Sequence, residues 1–323
     1  MACFSVGFWA LETIENASRI KNIIFFIPKF IHLIYMKKTV VTIGEILWDV
    51  FPEGKKAGGS SMNVALHLHK QGLNAQFMSA IGDDENGTEL IEFLAKNNFS
   101  TDLIQVNNLP TSTVEVELDE HHQATYKIVE PVAWDAIELS ENLISTVKIA
   151  DAFVYCSLTC RNDKSKNTIL SLLKYAKLKI FDINLREPFY TIEILKLLLR
   201  EADILKVNEH ELIYLKSELN LSGNTDEQLL KQLSNIFQIK IICLTVGEKG
   251  AYVLQQDKLY HHKGYQVKVA DTVGAGDSFL ATFISSYLNG YPMDTILDRA
   301  CKVGAFVASQ AGANPGYGDE VFN

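Results

Sequence analysis

The sequence predicts an α/β fold, a doubly wound and mainly parallel sheet flanked by helices on both faces, and three observations carry that prediction. Short apolar runs at Thr39–Ile43, 77–81, Ala152–Cys156, 179–183, 204–207 and Ile241–Thr245 alternate with helix-periodic segments at 61–71, 88–96, 164–176, 192–199 and 225–236. Repeated strand–helix units build parallel sheets through crossover helices. Runs such as Ile241-Ile242-Cys243-Leu244 are apolar at every position, as strands covered on both faces require. Polar, glycine-bearing clusters then follow the strands, at the edge where open α/β sheets bind ligands.

The first 36 residues differ from the rest. The stretch 23–36 is apolar, but Pro28, Lys29 and His32 interrupt it, it is shorter than a membrane span, and no small-residue cleavage site follows. Residues 1–35 read as an N-terminal extension, with a membrane-surface anchor as the alternative, and 36–323 as the folded domain. No stable membrane insertion is expected.

After the first strand comes Gly44-Glu45-Ile46-Leu47-Trp48-Asp49, which puts Asp49 at the carboxyl edge. It reads either as a ligand-binding carboxylate or as a turn residue. Gly58-Gly59-Ser60-Ser61-Met62-Asn63 opens a helix that Gly72 ends. Paired glycines admit a close ligand, and Asn63 offers both donors and an acceptor to a polyhydroxylated one. The alternative for Asn63 is a satisfied helix-start side chain. Alternating runs at 111–118 and 124–129, joined by Asp119-Glu120-His121-His122-Gln123, read as a hairpin that either covers a site or ornaments an edge.

Asp182-Ile183-Asn184-Leu185-Arg186 ends another strand, and Arg186 there suits a transferring phosphoryl group or an oxygenated substrate. Asn208-Glu209-His210-Glu211 opens a helix, with Glu211 placed either to hold a hydrated Mg²⁺ or to lie solvated behind an Asn208 cap. Tyr214 stands where a zinc-peptidase helix needs its second histidine, so that chemistry is excluded. Thr245-Val246-Gly247-Glu248-Lys249-Gly250 is a glycine turn at the same edge.

The stretch 271–279, Asp-Thr-Val-Gly-Ala-Gly-Asp-Ser-Phe, concentrates the chemistry. The alternating run 266–270 before it reads as a strand, and Phe279, Phe283, Ile284, Tyr287 and Leu288 behind it read as a helix stopped at Asn289-Gly290. Gly274, Ala275 and Gly276 therefore open a helix whose first N–H groups and macrodipole favour an anion. Asp277 beside that cradle makes sense as a base for a hydroxyl that attacks phosphorus. Its bland alternative is a helix cap.

The 323 residues are 47% hydrophobic and 21% charged, enough for one large α/β domain. A net charge of −9 leaves no basic stripe for nucleic acid. Five cysteines without a CxxC pair read as reduced thiols of a cytoplasmic protein. Neither GxxxxGK[ST] nor GxGxxG follows a strand, which argues against a P-loop or a dinucleotide site.

With these residues collected, the chain from Met36 onward resembles the PfkB, or ribokinase-like, carbohydrate kinases. The amino-terminal signature runs from Gly58-Gly59 through Asn63 and Gly72 to Gly82-Asp83-Asp84 and Gly87. The carboxyl-terminal one is Asp271 to Asp277, with Asn208…Glu211 and Thr245…Gly250 in order between them. The resemblance implies a small β lid, built partly from 111–129, over an ATP-dependent sugar kinase. It implies Asp277 as the base and Gly274 to Gly276 as the anion hole. Asn208 and Glu211 would organise Mg²⁺–ATP, with Glu211 acting through water. Thr245, Gly247 and Gly250 would line the nucleotide pocket, with the helix 300–309 near adenine.

Asp49, Gly58, Gly59, Asn63 and Arg186 would hold the sugar, and Asp271 and Thr272 match positions that help bind a monovalent cation such as K⁺. Gly44-Glu45-x-Leu47-x-Asp49 and Asp182-x-Asn184-x-Arg186 resemble the fructokinase branch, which makes fructose the expected substrate and 2-keto-3-deoxygluconate, ribose or another ketose the alternatives. The lid segment 125–135 departs from the fructokinase pattern. A phosphosugar is not expected, because no basic cluster accompanies the sugar residues in the sequence. Some relatives dimerise through a sheet edge, so a homodimer is a further expectation. The rival reading is a catalytically silent sugar-binding regulator, although such a protein is expected to lose Asp277 or its glycines.

Overall fold

The structure is a computed structural model that describes residues 37–52, 54–118 and 124–322. The extension 1–35 and the polar turn 119–123 lie outside the described residues. Strand β1 (Thr39–Ile43) leads through Gly44 to β2 (Leu47–Phe51), β3 (Gly54–Gly58) and helix α1 (Ser60–Lys70). Next come β4 (Asn74–Gly82), α2 (Glu85–Lys96), β5 (Ile104–Asn107) and the hairpin of β6 (Ser112–Leu118) and β7 (Ala124–Ile128). The chain then alternates through α3 (Glu141–Ile149), β8 (Ala152–Cys156), α4 (Asp163–Leu173), β9 (Lys179–Asp182), α5 (Ile192–Glu201) and β10 (Ile204–Asn208). Helices α6 (Glu209–Glu218) and α7 (Asp226–Phe237) precede β11 (Ile241–Thr245), β12 (Ala251–Gln255) and β13 (Lys258–His262). Helices α8 (Ala275–Leu288) and α9 (Met293–Ala308) follow.

Nine strands form the main sheet in the order β13-β12-β11-β10-β9-β8-β1-β4-β5. Every pairing from β11 to β5 is parallel, and β12 and β13 add an antiparallel margin. The chain winds outward from β1 to β4 and β5, then resumes on the opposite side at β8. The winding direction reverses at that point, and a crevice opens at the carboxyl ends of the strands.

Alternate strand residues enter two separate cores. Val41, Ile43, Phe153, Tyr155, Phe181 and Leu244 pack beneath α3, α4, α5, α6 and α7. Val40, Phe77, Val154, Ile180 and Cys243 pack beneath α1, α2, α8 and α9. Helices therefore cover both faces, which explains the unbroken apolar runs. Among the described residues four cysteines, Cys156, Cys160, Cys243 and Cys301, are free and buried, and no helix is long and apolar enough to cross a membrane.

A second, four-stranded sheet has the order β3-β2-β6-β7. The predicted hairpin is half of it; the other half is β2 and β3, to which the sequence reading assigns no strand. The run Gly-Lys-Lys-Ala-Gly is a poor strand former, and it is extended because it pairs antiparallel with β2 from Leu47↔Gly58 to Phe51↔Gly54. The stem of the hairpin is fastened to the main body by Arg161. Its Nη2 donates to Val129 O at 2.8 Å, while Nε and Nη2 grip the buried carboxylate of Asp135 at 2.7 and 2.8 Å.

The run 266–270 is not a strand, contrary to its alternation. It joins neither sheet, and Val267 and Val269 are 39% and 58% exposed. The segment is instead tied to the end of α9, with Ala270 and Asp271 N–H groups both donating to Ala308 O.

Candidate active site

At the carboxyl edge a cavity of about 610 Å³ lies between the main sheet and the small one. Its floor is the start of α8. Gly274 caps that helix at φ 78°, a left-handed conformation that suits glycine, and a Cβ there would stand 2.6 Å from Ala313 Cα. Gly274 and Gly276 line the cavity. Ala275 does not, and its N–H donates to Thr272 O at 3.3 Å.

Asp277 lies in the first turn of α8, and the cap position belongs to Gly274, so the capping alternative for Asp277 does not hold. Ser60 Oγ donates to its Oδ1 at 2.7 Å and Asn63 Nδ2 to its Oδ2 at 2.8 Å. Burial pushes this carboxyl's pKa up and the charge of Asp182 adds to that; Asn63, Ser60 and the Lys206 ammonium oppose it. The result is a partly desolvated carboxylate with held geometry, suited to taking a proton.

Lys206 projects from β10 beneath the same turn. Its Nζ lies 3.0 Å from Asp182 Oδ1 and 3.5 Å from where a Gly276 Cβ would sit. Burial works against this ammonium, but the charges of Asp182, Glu211 and Asp277 outweigh it and raise its pKa. A permanent cation thus underlies the glycine turn.

Two residues on, Asn208 caps α6 reciprocally with Glu211: Asn208 Oδ1 accepts from Glu211 N at 2.9 Å, and Glu211 Oε2 from Asn208 N at 2.8 Å. Glu211 Oε1 accepts from Leu185 N at 3.1 Å. Glu211 is 4% exposed, so it is not solvated. Burial raises its pKa, against the pull of Lys206.

On the side of the small sheet, Asp49 on β2 faces Lys56 on β3 across the strand pair, and both line the cavity with Arg186. Burial raises the Asp49 pKa to about 6; Arg186 and Lys56 oppose the rise and Asp271 adds to it. Arg186 donates through Nη1 to Leu185 O at 2.8 Å. Asn184 holds the left-handed region at φ 41°. Its Nδ2 reaches Glu45, a buried carboxylate that also accepts from Ser61 and Thr159. Glu45 thereby ties together the ends of β1, β8 and β9. Leu47, Phe51, Val114, Ile128 and Leu158 supply apolar walls.

The segment after α9 completes the site. Gly312 and Ala313 line the cavity, and Asn314 Nδ2 donates to Asn63 Oδ1 at 2.6 Å. Both ends of the Asn63 amide are thus engaged by protein, the satisfied alternative of the sequence reading, while the side chain still lines the cavity with one Nδ2 hydrogen to spare. Asp271 and Thr272 are also at the cavity; the carboxylate of Asp271 accepts from Val273 N at 3.0 Å and Gly312 N at 3.2 Å.

Five predicted residues fall outside the cavity lining. Ala275 is not in contact with the cavity, and Gly58 is covered by the Asp49 side chain, whose Oδ2 would lie 2.3 Å from a Gly58 Cβ. Thr245, Gly247 and Gly250 lie one strand further out, with Thr245 in register with Asn208. Gly250 packs on the backbone of His262 and Gly264.

Ser60 and Lys206 escape the sequence reading. For Lys206 a signal exists: a lysine inside the buried run of β10 needs a partner charge. For Ser60 none does. Among the described residues no group of three or more His, Cys, Asp or Glu is placed to hold a metal ion. Mg²⁺ requires only one or two carboxylates beside waters and phosphates, and Glu211 fits that demand: it lines the cavity, and each of its oxygens, used once by a backbone N–H, keeps a lone pair for a metal-bound water.

An open parallel sheet with a glycine-opened helix, a held carboxylate and a small covering sheet at its carboxyl edge defines a small-molecule phosphotransferase. The chain matches the model of the pfkB family carbohydrate kinases over residues 33–318 and belongs to that family. It is a phosphotransferase with an alcohol group as acceptor. "Probable fructokinase-5" of Arabidopsis thaliana is 29% identical over 309 residues, spanning 85% of this chain and 93% of the relative. The fructokinase of Xylella fastidiosa, solved with bound ATP, superposes with a TM-score of 0.75 at 22% identity over 86% of this chain and 94% of its own. The 2-dehydro-3-deoxygluconokinase of Thermotoga maritima does so with a TM-score of 0.79 at 19% identity, over 88% and 97%.

Proposed function

We propose that the protein transfers the γ-phosphoryl group of ATP to a hydroxyl of a small carbohydrate, fructose first among candidates, with Asp277 as general base. The observation that carries this reading is the Asp277 carboxylate, held by Ser60 and Asn63 at the floor of the cavity beside Gly274 and Gly276. Fructokinase relatives and an ATP-bound fructokinase neighbour support it.

In this mechanism Asp277 takes the hydroxyl proton as the oxygen attacks phosphorus in line. The charge that develops on the phosphoryl oxygens meets the N–H groups opening α8 and the Lys206 ammonium. Asp49 and Arg186, beside Gly59, hold the sugar. Asn208 borders the phosphates, and Thr245, Gly247 and Gly250 flank the nucleotide further along the edge, with α9 near adenine. Glu211 would hold Mg²⁺ through water, and that ion supplies charge neutralisation on the phosphates. Asp271 and Thr272 are where K⁺ would sit. The small sheet above excludes water. Buried free thiols support a reducing, cytoplasmic setting.

One observation favours a second reading, a sugar-acid substrate. Lys56 from β3 and Arg186 both line the cavity and both act on Asp49, so two cations accompany the sugar side, besides Lys206 under the glycine turn, a grouping that the linear sequence does not reveal.

The test is an ATP-coupled assay across ketoses, aldoses and sugar acids, with Asp277→Asn in parallel. Turnover is expected with fructose, or with a sugar acid if the second reading holds. Asp277→Asn is expected to lose about 10²- to 10⁴-fold in rate while still binding ATP. Wild-type rate in that variant overturns the base, and sugar binding without ATP consumption makes the protein a regulator.

A further inference from the structure

We propose that Asn314, on the segment after α9, is a positioning residue that decides which end of the Asn63 amide faces Asp277. The inference rests on the reading of Asp277 as the base. An asparagine amide has a donor end and an acceptor end, and half a turn about its last torsion exchanges them. An ionised carboxylate accepts hydrogen bonds only, so it needs the donor end. Asn314 makes that selection: its Nδ2 donates to Asn63 Oδ1 at 2.6 Å, which leaves Asn63 Nδ2 facing Asp277 Oδ2 at 2.8 Å. The Asn314 Oδ1 is buried and takes no hydrogen bond, a desolvation cost that this amide bears at its place against Asn63.

The segment carrying Asn314 is anchored on α1. Lys70 Nζ donates to Asn314 O at 2.9 Å and to Pro315 O at 3.1 Å. His67 bonds Ala313 O through Nε2 at 2.9 Å and the Tyr317 hydroxyl through Nδ1 at 2.8 Å. A carbonyl only accepts, so Nε2 carries the proton and Nδ1 accepts from Tyr317. Residues 60, 63, 67 and 70 share one face of a helix. A polar stripe on α1 therefore runs from the base to the segment that orients it.

The groups facing the Asp277 carboxylate are Ser60 and Asn63 from α1, Asp182 from β9 and Lys206 from β10. Removing the correctly turned Asn63 donor takes away a contact that favours the ionised base, so the base should titrate at higher pH.

The experiment measures kcat, both KM values and the pH profile of kcat/KM for the full chain with Mg²⁺–ATP and its best sugar. The variants are Asn314→Ala, Asn314→Asp and Asp277→Asn. Asn314→Ala is expected to lower kcat roughly tenfold with KM for ATP unchanged and the acid limb moved to higher pH. Asn314→Asp, nearly isosteric, should lose more, because a carboxylate accepts from Asn63 Nδ2 and turns the wrong end toward the base. Wild-type kcat and acid limb in both Asn314 variants, with Asp277→Asn inactive, overturn the proposal. So does a fall in kcat with the limb unmoved in both. Activity retained in Asp277→Asn instead overturns the reading of the base.

Discussion

Ser60 and Asp277 stand 217 positions apart in the chain, yet the serine hydroxyl donates to the aspartate carboxylate at 2.7 Å. The two family signatures meet in this bond. Ser60→Ala should lower kcat/KM about tenfold, the scale of a hydrogen bond to a charged group. Its acid limb should move to higher pH, because a donor to the ionised carboxyl is lost. A pH series of initial rates checks both.

Gly274→Ala places a methyl 2.6 Å from Ala313 Cα on a left-handed backbone. We expect a loss of about 1–3 kcal/mol in stability by thermal denaturation, with activity falling further because the glycine turn moves.

Asp49, with its pKa near 6, titrates in an accessible range. Above that pH it is a carboxylate that accepts from sugar hydroxyls; below it a protonated acid that accepts more weakly. KM for the sugar should therefore rise as pH falls through 6, and Asp49→Asn should remove that dependence at a uniformly higher KM.

The Arg161–Asp135 pair is 2% exposed on both sides. Arg161→Met leaves a buried carboxylate without its cation and should cost about 3–5 kcal/mol in denaturant unfolding. Adding Asp135→Asn should recover part of that loss.

Burial, with the nearby Lys70 charge, depresses the His67 pKa from 6.5 to about 3. The unfolded chain binds the proton more readily, so stability is full above pH 6.5 and is lost as pH falls toward 3. His67→Gln should flatten that decline, measured by unfolding midpoints across the window.

The main sheet was legible because its strands are buried on both faces and written in unbroken apolar runs, as in Ile241–Thr245. The small sheet was half legible. Strand β3 owes its form to β2, and nothing within Gly54–Gly58 announces it. The run 266–270 shows the converse, since alternation records local preference while the segment's Ala270 and Asp271 N–H groups go to Ala308 O instead of to a strand. Asp277, Gly274 and Asn63 were legible as motif members. Ser60, Lys206 and Asn314 were not, because their roles come from chain crossings that spacing does not encode.

Helix α1 acts as a splint. Its first turn grips the acid that receives the proton and its last turn grips the tail segment, so the reach between them is set by the rise of one rigid rod. Inserting a single alanine after Val64 would swing everything beyond it by about 100°, uncoupling the two grips while leaving every contact residue in the chain.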